Sequence, residues 1–150
     1  MTEMPRRPHD LTPRMTLDDV TAFLAAEFPQ IPEDGGFVFE AVGYGSCRAR
    51  LLVDERRLRP GGTVSGPSMM ALADVGLYVA LLGAIGPVKL AVTTNLSINF
   101  LRRPEPHDMI AECRFLKIGR TLAVGEAELF SRDAEPVAHV VATYSIPPKE

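Results

Sequence analysis

The chain has 150 residues, the length of one domain, and its 46% hydrophobic and 23% charged residues are the balance of a folded globular protein, not a disordered one. A formal net charge of −3 argues against a general nucleic-acid binder, which would present a basic face, so any anionic ligand must meet a local patch. The two cysteines, Cys47 and Cys113, are far apart and lack CxxC spacing, which points to neither a zinc site nor a redox pair and fits a reducing cytoplasm.

Residues 1–15 begin MTEMPRRPHDLTPR, with basic residues but no apolar run behind them. They read as a loose arm and not as a secretory signal, leaving residues 16–150 as a single domain. Thr16 followed by Asp19 forms a T-x-x-D cap, and Leu17, Val20, Phe23, Leu24 and Phe28 recur at helical spacing, so a short amphipathic helix is expected to end before Pro29. The breakers of QIPEDGG predict a loop. FVFEAVGYGSCRARLLV then reads as a strand pair around a turn at Gly43–Ser46; the G-x-G within it lacks a third glycine and a following helix, so it is no phosphate loop.

After the charged segment DERRLRPGG, Ser65 is placed to cap a long apolar helix with Pro67 in its first turn, and Gly83 or Gly86 with Pro87 is placed to stop it. The run from Met69 to Ile85 approaches the length of a bilayer span, but Asp74 would be costly in lipid and two glycines interrupt the run. A helix apolar nearly all round is better enclosed by protein. The remainder is strand. KLAVTTNLSINFL alternates, which predicts Thr93, Asn95, Ser97 and Asn99 on one face and Thr94, Leu96, Ile98 and Phe100 on the other. MIAECRFLKIG, LAVGEAELFSR and PVAHVVATYSI follow at close spacing, as in an antiparallel meander. The fold class is therefore α+β.

This element order and the motif RPGGTVSGPSMMALAD resemble the hotdog-fold thioesterases of the PaaI type, over roughly Phe37 to Pro147. The resemblance implies a curved antiparallel sheet wrapped around one long central helix. It also implies hydrolysis of acyl-CoA thioesters by dimers or dimers of dimers whose sites lie at the subunit interface. In that family the N–H of the glycine after a histidine polarises the thioester carbonyl, and a helix carboxylate acts as general base or nucleophile; Gly66 and Asp74 take those positions. The chemistry is sound, because a helix N-terminus offers unpaired N–H groups and a positive dipole end to a developing oxyanion.

Eight residues separate Gly66 from Asp74, a little over two turns, so the two share an azimuth but lie about 12 Å apart along the axis. That is too far for one reacting centre, and the Asp74 that meets a given Gly66 is expected to come from the other subunit. Three motif positions depart from the family: Ser65 stands for its histidine, Pro67 for its second glycine and Arg59 for its upstream asparagine. Pro67 deletes a donor but leaves the Gly66 N–H. Arg59 either attracts an anionic substrate group or marks a subfamily that binds thioesters without cleaving them. Ser65 caps the helix and contacts substrate, and Thr93 matches a position where the family carries a hydroxyl.

Arg102 and Arg103 at the end of the long strand, with Lys117 and Arg120 around the Gly119 turn, are the candidates for coenzyme A phosphates, against a plain solvated rim as the alternative. His9, His107 and His139 show no metal spacing, and no metal or cofactor is expected beyond the coenzyme A of the substrate. Nor is a nucleic-acid or membrane partner. Three alternatives to an acyl-CoA thioesterase stay open: a non-catalytic thioester-binding module, a hotdog hydratase or dehydratase, and a purely structural dimer in which Asp74 serves only an ion pair or a hydroxyl. The missing histidine at Ser65 counts against the second.

Overall fold

In the computed structural model, which describes residues 12–148, helix α1 (Leu17–Glu27) begins at the predicted capping box. Thr16 Oγ1 accepts the Asp19 N–H at 3.2 Å, and Asp19 Oδ2 accepts the Thr16 N–H at 2.9 Å. Most of the N-terminal arm, His9 included, lies outside the described residues. Its last residues are anchored: Arg14 donates its N–H to Gly83 O at 2.7 Å, and Met15 is buried.

Gln30–Asp34 forms one further helical turn, α2, where the breakers predict a loop. Pro29 is its N-cap and Pro32 falls within the first turn, where the missing N–H has no intrahelical acceptor to lose; Gly35, at φ +78°, closes it in the left-handed region. Strands β1 (Phe37–Gly43) and β2 (Ser46–Leu51) then form the expected hairpin around Tyr44–Gly45. The charged segment that follows is more ordered than its composition predicts. A 3₁₀ turn at Glu55–Arg57 leads into a hairpin of two-residue strands, β3 (Leu58–Arg59) and β4 (Thr63–Val64).

Helix α3 (Gly66–Ile85) runs between the predicted limits. Ser65 Oγ accepts the Ser68 N–H at 3.3 Å at its start, and the C-cap Gly86 donates its N–H to Leu82 O at its end. The helix is long and apolar enough to cross a membrane by composition, yet thirteen of its twenty residues are buried inside the fold. Strands β5 (Val92–Phe100), β6 (Met109–Ile118), β7 (Leu122–Phe130) and β8 (Pro136–Ser145) complete the chain.

Six strands form one antiparallel sheet in the order β1-β2-β6-β7-β8-β5, and α3 lies across its inner face in contact with β1, β2, β5, β6 and β7. This is the α+β arrangement the resemblance implies. Register shifts in β1, β5, β6 and β7–β8 mark bulges, each of which adds bend and twist so that the sheet curls around the helix. Leu72, Leu77, Leu81 and Leu82 are fully buried, each contributing about 1.5–3 kcal/mol against exposure. The outer face is charged: Arg48 pairs with Glu40 and Glu112, and Glu126 with Arg114 and His139.

The helix approaches the sheet closely at its glycines. A Cβ on Gly76 would stand 2.7 Å from Cys113 Sγ, and one on Gly83 would overlap the carbonyl oxygen of Gly43. Backbone cannot yield as a flexible side chain does, so Gly83→Ala is expected to destabilise the fold by about 1–3 kcal/mol, seen as a lower urea midpoint at unchanged m-value.

Candidate active site

Asp74 sits on the face of α3 that passes the seam between β5 and β8, the paired strands that bring Thr93 opposite Tyr144. Its Oδ1 accepts the Thr93 hydroxyl at 2.6 Å and the Tyr144 hydroxyl at 2.8 Å. Tyr144 Oη also lies 2.7 Å from the backbone carbonyl oxygen of Asp74. No described group donates to Oδ2. The carboxylate lines a cavity of ≈ 200 Å³ whose other walls include Phe28, Ile31, Val75, Tyr78 and Val92. Tyr78 is fixed there by its bond to Val88 O at 3.0 Å, and burial pushes its phenol up to about 12.

The position of Thr93 corrects the strict alternation expected of β5. The register shifts between Thr93 and Asn95, so that Thr94 is an extra residue outside the register, its hydroxyl donating to Thr143 O at 3.2 Å. Leu96, Ile98 and Phe100 pair with the inward Ala142, Val140 and Ala138, while Asn95, Ser97 and Asn99 pair with residues of the outer face. The bulge turns Thr93 onto the inner side, opposite the buried Tyr144, and away from the polar row to which period-two alternation assigns it. Tyr144 is the residue that sequence reasoning passed over: its place in the apolar row of PVAHVVATYSI marks it only as core. Burial, then the nearby Asp74 charge, push its phenol far above the usual range.

Gly66 lies elsewhere, in a second cavity of ≈ 490 Å³ with Arg59, Met69, Phe100, Arg102 and Arg103. It is the first residue of α3, and its N–H meets no acceptor among the described residues. A Cβ here would lie 3.3 Å from the Phe100 ring, a tight contact that the half-exposed ring would have to relieve by a small shift. Ser65 Oγ serves the cap and donates to Ser68 Oγ at 2.8 Å. Upstream, Arg57 holds this entry: its carbonyl accepts the Ser65 N–H at 2.7 Å. Its side chain, only 11% exposed, pairs with Asp34 and lies 5.4 Å above the Phe37 ring. Within one chain, therefore, Gly66 and Asp74 open onto different cavities.

The basic candidates divide. Arg102 is occupied by Asp133 at 2.8 Å and Glu135 at 3.5 Å, whereas the exposed Arg59 and Arg103 form no ion pair among the described residues. Lys117 and Arg120 are exposed but flank the β6–β7 turn, at the end of the sheet where Val92 and Leu122 both face Ser145. Arg102 and Arg103 follow Phe100 at the opposite end, so within one chain the four do not form the joint basic rim expected from neighbouring strand ends.

His139 Nε2 lies 3.0 Å from Glu126 Oε2 on the outer face, and His107 Nδ1 lies 2.8 Å from Asp108 O; neither lines a cavity with Asp74. Among the described residues no group of His, Cys, Asp and Glu could hold a metal ion. Cys47 and Cys113, distant in sequence, face each other across β2 and β6. Because Phe115 donates to Gly45 O two residues along, the cysteines occupy a hydrogen-bonded pair of the ladder, with side chains on the wider spacing. Both are free and buried, and desolvation pushes both thiols well up.

The sequence profile described as Thioesterase superfamily matches residues 61–138. The crystal structure of a candidate thioesterase from Silicibacter sp. TM1040 is similar, with 50% identity and a TM-score of 0.82 over 92% of this chain and 96% of that one. A candidate thioesterase of Ralstonia eutropha JMP134, described as related to phenylacetic acid degradation, is 25% identical with a TM-score of 0.74, covering 85% of this chain and 98% of its own. A candidate esterase of Saccharolobus solfataricus is 25% identical over 138 residues, 91% of this chain and 89% of that relative.

The buried thiols have a direct consequence. An aromatic disulfide reagent should label neither cysteine of the native protein on a timescale of minutes and both after denaturation; rapid native labelling would contradict the burial of Cys47 and Cys113.

Proposed function

The chain belongs to the thioesterase superfamily, with a hotdog fold of the PaaI-like kind, and on that premise we propose that it hydrolyses an acyl-CoA thioester as a homodimer or a dimer of dimers. The observation that carries this reading is the Asp74 carboxylate on the central helix, tethered at one oxygen by two hydroxyls and lining a cavity. Asp74 acts as base or nucleophile. In the first case it takes a proton from water as the water oxygen bonds to the carbonyl carbon, and returns it to sulfur as the carbon–sulfur bond breaks. In the second it attacks the carbon itself, the carbon–sulfur bond breaks and the thiolate leaves to take a proton from solvent, and water then cleaves the mixed anhydride to the free acid and restores the carboxylate.

The oxyanion that forms in either case is held by the Gly66 N–H of the other subunit, supported by the dipole of α3. The separation of Asp74 and Gly66 into two cavities of one chain supports a shared site. The edge position of β5, with Val92 and Phe100 exposed, supports pairing of that strand with a second copy. Arg59 and Arg103, which have no carboxylate partner among the described residues, would meet coenzyme A phosphates beside the helix start, with Arg102 as a neutralised neighbour and Lys117 and Arg120 reached only from another subunit. The two buried thiols fit a reducing compartment such as the cytoplasm. No described histidine lines either cavity, which favours hydrolysis over hydration chemistry.

Release of free thiol from a panel of acyl-CoAs tests the activity. Asp74→Asn is expected to lower kcat by about 10²–10⁴-fold while the protein remains a dimer. Full turnover in that variant would remove the assignment, and binding of acyl-CoA without turnover by the parent protein would make this a binding module. A complementation assay tests the shared site. Asp74→Asn and Gly66→Pro chains, each inactive alone, should regain about half the activity of an intact dimer's two sites when mixed as heterodimers, because one of the two sites then keeps both groups. Heterodimers without activity would place both groups in one subunit.

A further inference from the structure

Tyr144 is 1% exposed, so its hydroxyl must find its partners inside the protein, and beside the Thr93 hydroxyl its acceptors belong to Asp74: the backbone carbonyl at 2.7 Å and Oδ1 at 2.8 Å. The tyrosine borders the Asp74 cavity and is held from the sheet. Its backbone is paired with Thr93 of β5 and Ala123 of β7, and its ring meets Phe115 edge-on at 5.8 Å and 67°. Thr93 and Tyr144 are direct cross-strand neighbours, which sets their two hydroxyls side by side, both aimed at the same carboxylate oxygen.

We propose that Tyr144 is a positioning residue for the reaction: together with the bulge-turned Thr93 it occupies Asp74 Oδ1 and reserves Oδ2 as the oxygen that meets water or the thioester carbonyl. This rests on the reading of Asp74 as the reacting carboxylate. An ionised oxygen accepts through two lone-pair directions, and the two hydroxyls fill both at Oδ1. The bonds are charge-assisted and come from two strands, so they hold the carboxylate against rotation.

Tyr144 has one proton for two acceptors. When Asp74 takes a proton at Oδ2, Oδ1 stays a carbonyl-type acceptor and the backbone carbonyl of the same residue remains beside it. The hydroxyl therefore has an acceptor in both protonation states of the base and is never left unsatisfied in the core. A phenylalanine would serve the packing against Phe115 equally well. What the hydroxyl adds is control of the carboxylate. Other titratable groups near the site are Tyr78 on the same helix, Lys89 at the cavity wall, paired with Glu27 of α1 at 3.1 Å, and the buried Cys113 thiol of β6.

The test is kcat and KM for the parent, Tyr144→Phe and Asp74→Asn on one acyl-CoA that the parent hydrolyses. Tyr144→Phe is expected to lower kcat about 10–100-fold with KM within about twofold, the split of a group that acts only on the reacting carboxylate. A folded Tyr144→Phe dimer with unchanged kcat, or one whose loss lies in KM alone, would overturn the proposal. Thr93→Val, which removes the other donor to Oδ1 from an exposed strand position, covers the case in which Tyr144→Phe does not fold. There kcat should fall about tenfold at unchanged KM, and an unchanged kcat would again overturn it. Failure of the underlying reading is distinguishable, because it alone leaves Asp74→Asn active.

Discussion

A helix that is apolar around nearly its whole circumference has little to offer water, and the sheet covers most of it, leaving Pro67, Met70, Ala71, Asp74 and Val75 less than fully buried. The sheet must be wide enough to touch α3 along its length and curved enough to close around it; six antiparallel strands and their bulges supply both. Contact at this range needs small residues: Gly83 lies against the backbone of Gly43, and Gly76 against the side chains of Cys113, Ala49 and Ala111. Once the helix is gripped in this way its rotation is fixed. Asp74 then falls at the β5–β8 seam, and the helix start falls under Phe100.

Features governed by local chemistry are legible in the amino-acid sequence. The capping box of α1, the hairpin around Gly45, and the serine start and glycine stop of α3 depend on residues within a few positions of each other. The four long strands and the α+β class follow from period and spacing. Features that depend on partners distant in the chain are not legible there. Period-two alternation carries no mark of an extra residue at Thr94, because a bulge is set by the pairing with β8 and not by the residues of β5 alone. Tyr144 reads as packing for the same reason: only the register shows that its hydroxyl reaches Asp74. Cys47 and Cys113 read as remote because sequence distance says nothing about strands β2 and β6 being neighbours.

The two short elements that composition conceals also have a physical origin. Helix α2 forms among prolines because both fall where a helix needs no N–H, and its glycine cap then directs the chain into β1. The charged run before Ser65 is held by Arg57, whose guanidinium is buried between Asp34 and Phe37 while its carbonyl carries the Ser65 N–H. Ordering of the N-terminal elements is thus transmitted to the residue that starts the central helix. Charge elsewhere is largely spoken for: the outer face is cross-linked by paired side chains, and Arg102 is neutralised by its neighbours, which leaves Arg59 and Arg103 as the conspicuous positive groups beside the helix start.

The bulge at Thr94 separates two tasks within one strand. On its C-terminal side β5 keeps a regular phase, with one row turned to the helix and the other to the exterior; on its N-terminal side the phase is reversed, and the single hydroxyl of Thr93 is delivered inward. An edge strand can therefore change its outward row from Asn95 to Asn99, and with it whatever that surface meets, without rotating the hydroxyl beside Asp74. Surface drift and site geometry are uncoupled at one residue, and loss or gain of a residue between Thr93 and Asn95 would couple them again.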